Sequence, residues 1–264
     1  KVFEDISCAE LLLRIILNDE GIRVLEAHSQ RGIKNLQGRS VKLDILAVDS
    51  HNRVFNVEVQ RSDRGAGAKR ARYNSALIDA NVTEPGDQYE DLNETFVIFI
   101  TENDVMKAGL PIYHIDRVVR ETGKLFEDEE HIIYVNSQIK DETKLGRFMH
   151  DFSCTNAKDM HNKVLADRVR YFKEDERGVA IMCREMEIMR NQAHEEGVEI
   201  GIKKGRMLQL IKQVCAKMQK FSSAEEIAND LVEQDVPLIQ KIMDVAPNFS
   251  PDYNVDAIYK ALNL

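Results

Sequence analysis

Apolar positions near the start of the chain first bunch at helical density and then alternate. Leu11 to Leu17 is apolar at all but one position, and Ser7-Cys8-Ala9-Glu10 before it has the S-x-x-E form of a capping box. A short helix is predicted there, ended by Gly21. Strand patterns follow at residues 22–29, 41–48 and 54–60. In the second, Val41, Leu43, Ile45 and Ala47 alternate with Lys42, Asp44, Leu46 and Val48. In the third, Val57 and Val59 alternate with Asn56, Glu58 and Gln60. Asp49-Ser50-His51-Asn52-Arg53 between them is a polar connection of hairpin length.

Residues 61–67 read as a loop, 68–79 as a helix, and 84–94 as an acidic loop around Pro85-Gly86. Thr95-Phe-Val-Ile-Phe-Ile-Thr101 is a continuous apolar run, the pattern of a strand buried on both faces. Weaker strand patterns lie at 112–115 and 131–135. The order helix, three-strand meander, helix, strand predicts an α/β domain with a mixed sheet. From about residue 141 the pattern turns helical. Helices are expected at 158–172, 174–196 and 203–219, followed by two shorter ones beginning at Ser223 and after Pro251. The expected organisation is a core over 1–140, a helical extension packed on it over 141–196, and a helical tail over 197–264. Gly197, Gly201 and Gly205 share one helical face, and each costs about 1 kcal/mol against alanine. They read as a hinge, or as a close helix–helix contact in a homo-oligomer.

Composition narrows the class of protein. Of 264 residues, 43% are hydrophobic and 31% charged, as in a soluble globular chain. No apolar run approaches the roughly 20 residues needed to span a bilayer, and no leader-peptide pattern is present, so no membrane partner is expected. Cys8, Cys154, Cys183 and Cys215 form no CxxC pair and read as reduced cytosolic thiols. His150, Cys154 and His161 lack a fourth ligand and match no common zinc spacing, so ordinary helix residues are expected there. Net charge is −9, which taken alone speaks against a nucleic-acid partner. Charge is segregated, however. Between Arg39 and Arg72 there are eight Lys or Arg against four Asp or Glu, so that segment is +4 and the remainder −13.

The hairpin suggests where chemistry could sit. With the turn centred on His51, partner residues have numbers summing to 102, which places Asp44 opposite Glu58 and Lys42 opposite Gln60. Opposed side chains in such a pair have Cβ atoms about 5 Å apart, and like charges there destabilise a hairpin. A divalent cation between the carboxylates relieves this, and Mg²⁺ favours such hard oxygen ligands. The alternative is a solvent-exposed face in a shifted register. Directly after Glu58 comes a basic run, Arg61, Arg64, Lys69, Arg70 and Arg72, suited to holding a phosphodiester substrate beside a bound metal.

Asp44 and, fourteen positions on, Glu58-Val59-Gln60 resemble the hairpin motif of the PD-(D/E)XK nuclease superfamily. More closely, Asn35-Leu-Gln-Gly-Arg-Ser-Val-Lys-Leu-Asp44 resembles the PD-(D/E)XK nuclease family transposases, which are grouped with bacterial recombination-promoting nucleases. So do Asn56-Val-Glu-Val-Gln60, Phe96-Val-Ile-Phe-Ile-Thr-Glu-Asn-Asp104, His131-Ile-Ile-Tyr-Val-Asn136 and Met149-His-Asp-Phe-Ser-Cys154. The resemblance covers about the first two-thirds of the chain. It implies a restriction-endonuclease-like core and a DNA endonuclease dependent on Mg²⁺ or Mn²⁺, associated with transposition or recombination. By the same resemblance Asp44 and Glu58 are metal ligands, and Glu10 in the first helix is the candidate third acid. The chain departs from the superfamily pattern at Leu43, where proline is usual, and at Gln60, which stands in the lysine position. Lys42 is a candidate replacement for that ammonium. The departures keep open a second reading, a catalytically weak DNA-binding or assembly protein on a nuclease scaffold. The implied location is cytoplasmic, on the nucleoid when DNA is bound.

Overall fold

The computed structural model describes residues 1–262 except 36–37, 61–64, 84–85 and 222, and omits the Glu196 side chain. Its contacts fall into two units, Lys1–Ala180 and Ile181–Leu264. In the first, helix α1 (Ile6–Leu17) precedes strands β1 (Val24–Ile33), β2 (Val41–Asp49) and β3 (Val54–Gln60). Helix α2 (Ala68–Val82) crosses over to β4 (Thr95–Thr101). Then come β5 (Ile112–Ile115), a small hairpin of β6 (Val118–Val119) and β7 (Lys124–Leu125), β8 (Glu130–Asn136), α3 (Lys144–Ser153) and α4 (Lys163–Glu174). The main sheet has the order β1-β2-β3-β4-β8-β5, with β3, β4 and β8 parallel and the remaining pairs antiparallel. It is therefore the expected mixed α/β sheet.

Each face of the sheet is covered. Leu12, Leu13 and Ile16 of α1 and Phe148 and Met149 of α3 pack with Ile45, Phe55, Ile98 and Ile100. On the other face Leu77 and Ile78 of α2 pack with Leu43 and Val54, and Ala71 packs with Val97 and Phe99. Every residue of β4 is buried, as its unbroken apolar run requires.

Two local expectations are corrected. The N-cap of α1 is Asp5, whose carboxylate accepts from the Cys8 amide at 3.2 Å, so the helix begins before Ser7 and Glu10 does not cap it. In β2, Val41 and Leu43 pack toward α2 together with Leu46 and Val48, while Ile45 and Ala47 face α1. The alternation slips at Asp44. Its neighbour across β1 is Gln30, which sits between the pairs Ser29↔Ile45 and Arg31↔Leu43 and has φ 55°. A left-handed residue inside a strand bends it and reorients the side chains that follow.

The second unit has its own core. Helix α5 (Glu176–Lys217) supplies Ile211 and Val214, which pack with Ile227 of α6 (Ala224–Leu231), Ile239 and Ile242 of α7 (Val236–Val245) and Ile258 of α8 (Val255–Ala261). Ser223 and Glu226 form the expected capping box. The helices expected at 174–196 and 203–219 are one continuous helix through all three glycines. Helix α7 is an addition to the expected set. Asp235 caps it and Pro237 stands in its first turn, a start signal present in the sequence. Among the described residues, no helix is long and apolar enough to cross a membrane.

The β2–β3 turn is fixed by Asp49, which is fully buried. Its carboxylate accepts from the His51 and Arg53 amides, each at 2.9 Å, and from Arg53 Nε at 2.8 Å. Replacing Asp49 by alanine leaves three donors unpaired at once. Chemical denaturation should show a loss of about 2–4 kcal/mol.

Candidate active site

The hairpin register is the one that the sequence predicts. Ile45↔Val57, Leu46↔Asn56, Ala47↔Phe55 and Val48↔Val54 all pair with numbers summing to 102. Backbone pairing stops one step before Asp44 and Glu58, and their side chains take over. The Asp44 amide donates to Glu58 Oε1 at 3.3 Å, and the Val59 amide donates to Asp44 Oδ2 at 3.0 Å. The Gln30 amide nitrogen donates to Asp44 Oδ1 at 3.1 Å. Asp44 thus bridges β1 and β3 from the middle strand.

Glu58 is fully buried and its carboxylate is surrounded by donors. Asn56 Nδ2 donates to Oε1 at 3.0 Å, and Gln60 Nε2 to Oε2 at 3.3 Å. The Arg70 guanidinium, from the first turn of α2, donates to Oε2 at 2.5 Å and to the Gly65 carbonyl at 2.8 Å. Asn74 of α2 donates to Asn56 Oδ1 at 3.1 Å, which extends the polar chain across the α2 interface. Burial, followed by repulsion from Asp44, pushes the Glu58 carboxyl above the ordinary value despite the Asn56 and Arg70 contacts. The pair can hold a cation or share a proton.

Gly65 lies against this site for a steric reason. A Cβ there would stand 1.9 Å from Gln60 Oε1, so any other residue forces the Gln60 side chain to shift. Gln60 also lines a cleft of about 700 Å³, together with Val59, Glu102, Lys140, Cys154 and Thr155. Gln60, Glu102 and Ser137 stand at or just past the carboxyl ends of the parallel strands β3, β4 and β8. Ligands of α/β sheets collect at that edge.

Other expected site residues fall elsewhere. Arg70 is a partner of Glu58 rather than a free phosphate ligand. Lys42 pairs with Gly32 of β1, and β2–β3 pairing ends at Ile45↔Val57, short of Lys42 and Gln60. Leu43 on its C-terminal side faces α2, the side on which Glu58 meets Arg70, so Lys42 points away from the carboxylates. Glu10 accepts from the Val24 amide at 3.0 Å and pairs with Arg14. Val24 lies opposite Asp49, five residues and about 16 Å along β2 from Asp44, so Glu10 is remote from the pair. Glu4 is closer in register, accepting from Ser29 beside Gln30. Lys69 and Arg72 are exposed on α2 and have no ion-pair partner among the described residues. Arg61 and Arg64 lie outside the described residues. Gln30, Asn56 and Asn74 are the additions. An asparagine two positions before Glu58 on the same strand face was a readable signal for one of them.

The family model described as PD-(D/E)XK nuclease family transposase matches residues 10–145, just over half of the chain. The chain belongs to this family. The match begins inside α1 at Glu10 and takes in the whole main sheet and both carboxylates. No curated protein and no solved structure matches the chain.

Two outcomes follow from this arrangement. The raised Glu58 carboxyl means that the folded state binds a proton more tightly than the unfolded chain. Its ionisation therefore costs stability as pH rises from the ordinary carboxylate value through the raised one. In metal-free buffer, melting curves across that window should shift in favour of Glu58→Gln relative to the parent as pH increases. Gly65→Ala should displace the Gln60 amide while changing the melting temperature by only a few degrees.

Proposed function

We propose that this family member is a divalent-metal-dependent endodeoxyribonuclease acting in transposition or recombination. The observation that carries the proposal is the meeting of Asp44 with the fully buried Glu58 where β2–β3 pairing ends. The donor set fits a hard cation: two carboxylates with the Gln60 amide beside them, and one carboxylate held at a raised pKa by burial. Asp44 and Glu58 would hold Mg²⁺ or Mn²⁺. A bound ion of this kind supplies Lewis-acid polarisation of a phosphate oxygen and a more acidic water. Gln60, fixed by Glu58 and Gly65, orients the attacking water or a phosphate oxygen. It does so as a neutral dipole where the superfamily uses a cation. Lys69 and Arg72 lie beside this site at the start of α2 and face solvent, where they can hold the phosphates flanking the cleaved bond. In this reading Arg61 and Arg64 join them.

One observation favours a second reading. Arg70 already pairs with Glu58, so one of the two carboxylates has a cationic partner without metal. The alternative is a DNA-binding or assembly protein on the nuclease scaffold. Calorimetric titration with Mn²⁺ separates the two, since an assembly protein shows no site that depends on Asp44. Exposed Met186, Met189, Ile200 and Ile202 on α5 support homo-oligomer formation through the C-terminal helices. Four free cysteines support a reducing, cytoplasmic location, on the nucleoid when DNA is bound.

Asp44→Ala should abolish Mg²⁺- or Mn²⁺-dependent nicking of supercoiled plasmid, by at least two orders of magnitude, while circular dichroism stays that of the parent. Nicking that survives in a folded Asp44→Ala protein would overturn the assignment. Lys69→Ala with Arg72→Ala should instead weaken DNA binding and flatten its salt dependence, leaving metal affinity unchanged.

A further inference from the structure

The spacing of His150, Cys154 and His161 matches no common metal motif. The fold gathers ligand atoms of His150, Asp151 and Cys154 within 4.8 Å of one another and sets the His161 ring against that of His150. His150 stands in the last turn of α3 and Cys154 is its C-cap, one turn on. Cys154 Sγ lies 3.6 Å from His150 Nδ1 and 3.9 Å from Nε2. His161 comes from the turn before α4, and its ring centroid is 4.7 Å from that of His150.

Asp151 is what returns His161 to the helix end. It is 1% exposed and sits between the two histidine segments. Its carboxylate accepts from the backbone amides of His161 and Asn162, each at 2.7 Å, and from Asn162 Nδ2 at 2.7 Å. The same carboxylate is 3.3 Å from His150 Nδ1. With Nδ1–H donating to Asp151, the His150 Nε2 lone pair is directed away from the carboxylate and is free to bind a metal. A carboxylate behind a ligating histidine is the usual outer partner of such sites, fixing tautomer and ring orientation.

We propose that His150 and Cys154, joined by His161 through a rotation of its side chain, form a zinc site, with Asp151 as the positioning residue. Metal–sulfur bonds of about 2.3 Å and metal–nitrogen bonds of about 2.0 Å at a tetrahedral angle give sulfur–nitrogen edges near 3.6 Å. The separation between Cys154 Sγ and His150 Nε2, the free nitrogen, is 3.9 Å, within a few tenths of an ångström of that edge. Thiolate and imidazole donors select Zn²⁺ and exclude Mg²⁺, so this site and the Asp44–Glu58 pair take different ions. On binding, the Cys154 S–H proton passes to buffer and an S–Zn bond forms, with no change of oxidation state. A water takes the fourth position. Cys154 and Thr155 line the same cleft as Gln60, so the ion would brace the cleft wall opposite the end of β3.

Cobalt is a direct probe of this site. The full-length reduced protein is titrated with Co²⁺ in excess Mg²⁺ and followed by absorption, with zinc content measured in parallel. One equivalent of Co²⁺ should bind, giving a thiolate charge-transfer band and tetrahedral ligand-field bands that Zn²⁺ displaces. Cys154→Ser should remove the charge-transfer band, and His161→Ala should weaken binding at least tenfold. Asp44→Ala should leave both bands intact, which keeps this test separate from that of the nuclease site. Absence of the charge-transfer band in the parent, or equal zinc content in Cys154→Ser, would overturn the proposal.

Discussion

Glu58 places an ionisable carboxylate where it has no exposed surface, and burying such a group unaided costs several kcal/mol. The first unit is arranged to offset that cost. Asn56 supports one oxygen from the same strand, and Gln60 and Arg70 support the other. The Asp44 amide adds a donor from the neighbouring strand. Each donor depends on a feature of the fold. The amide is free because β2–β3 pairing stops there, and Arg70 arrives because the crossover helix begins beside the sheet. Gln60 fits because residue 65 has no side chain.

The same constraint explains the local irregularities. A regular β2 would put Leu43 on the α1 face and leave Asp44 with ordinary backbone partners. The left-handed Gln30 breaks that alternation, sends Leu43 into the α2 cluster and supplies an amide to Asp44. The slip costs strand regularity and gains a carboxylate that touches both neighbouring strands. Asp49 has a comparable role at the turn. By holding the His51 and Arg53 amides, it sets the register on which the meeting of Asp44 and Glu58 depends.

Much of the architecture could be read from the chain, for identifiable reasons. Strands β3, β4 and β5 have the limits expected of them, because period-2 alternation and an unbroken apolar run are strong local signals. The Asp44–Glu58 register followed from turn length alone. The parts that could not be read depend on contacts distant in sequence. Lys42 was placed beside Gln60 by assuming regular alternation, which the slip at Asp44 breaks. Arg70 looked like one cation in a basic run, and only the packing of α2 on the sheet shows that it faces Glu58. Glu10 satisfied a capping pattern while Asp5, without such a pattern, does the capping. The grouping of His150 with His161 depends on a buried carboxylate whose partners lie ten and eleven residues away.

Helix α5 shows that continuity is not the same as rigidity. Gly197, Gly201 and Gly205 have open space where a Cβ would stand, so no neighbouring side chain offsets their low helix propensity. Helix and coil therefore lie close in free energy over those two turns, closer than in the stretch around Ile211 and Val214, which is tied into a core. Amide exchange along α5 should be graded, fast through the glycines and slow beyond residue 210. Opening the helix at these glycines breaks only a few backbone hydrogen bonds.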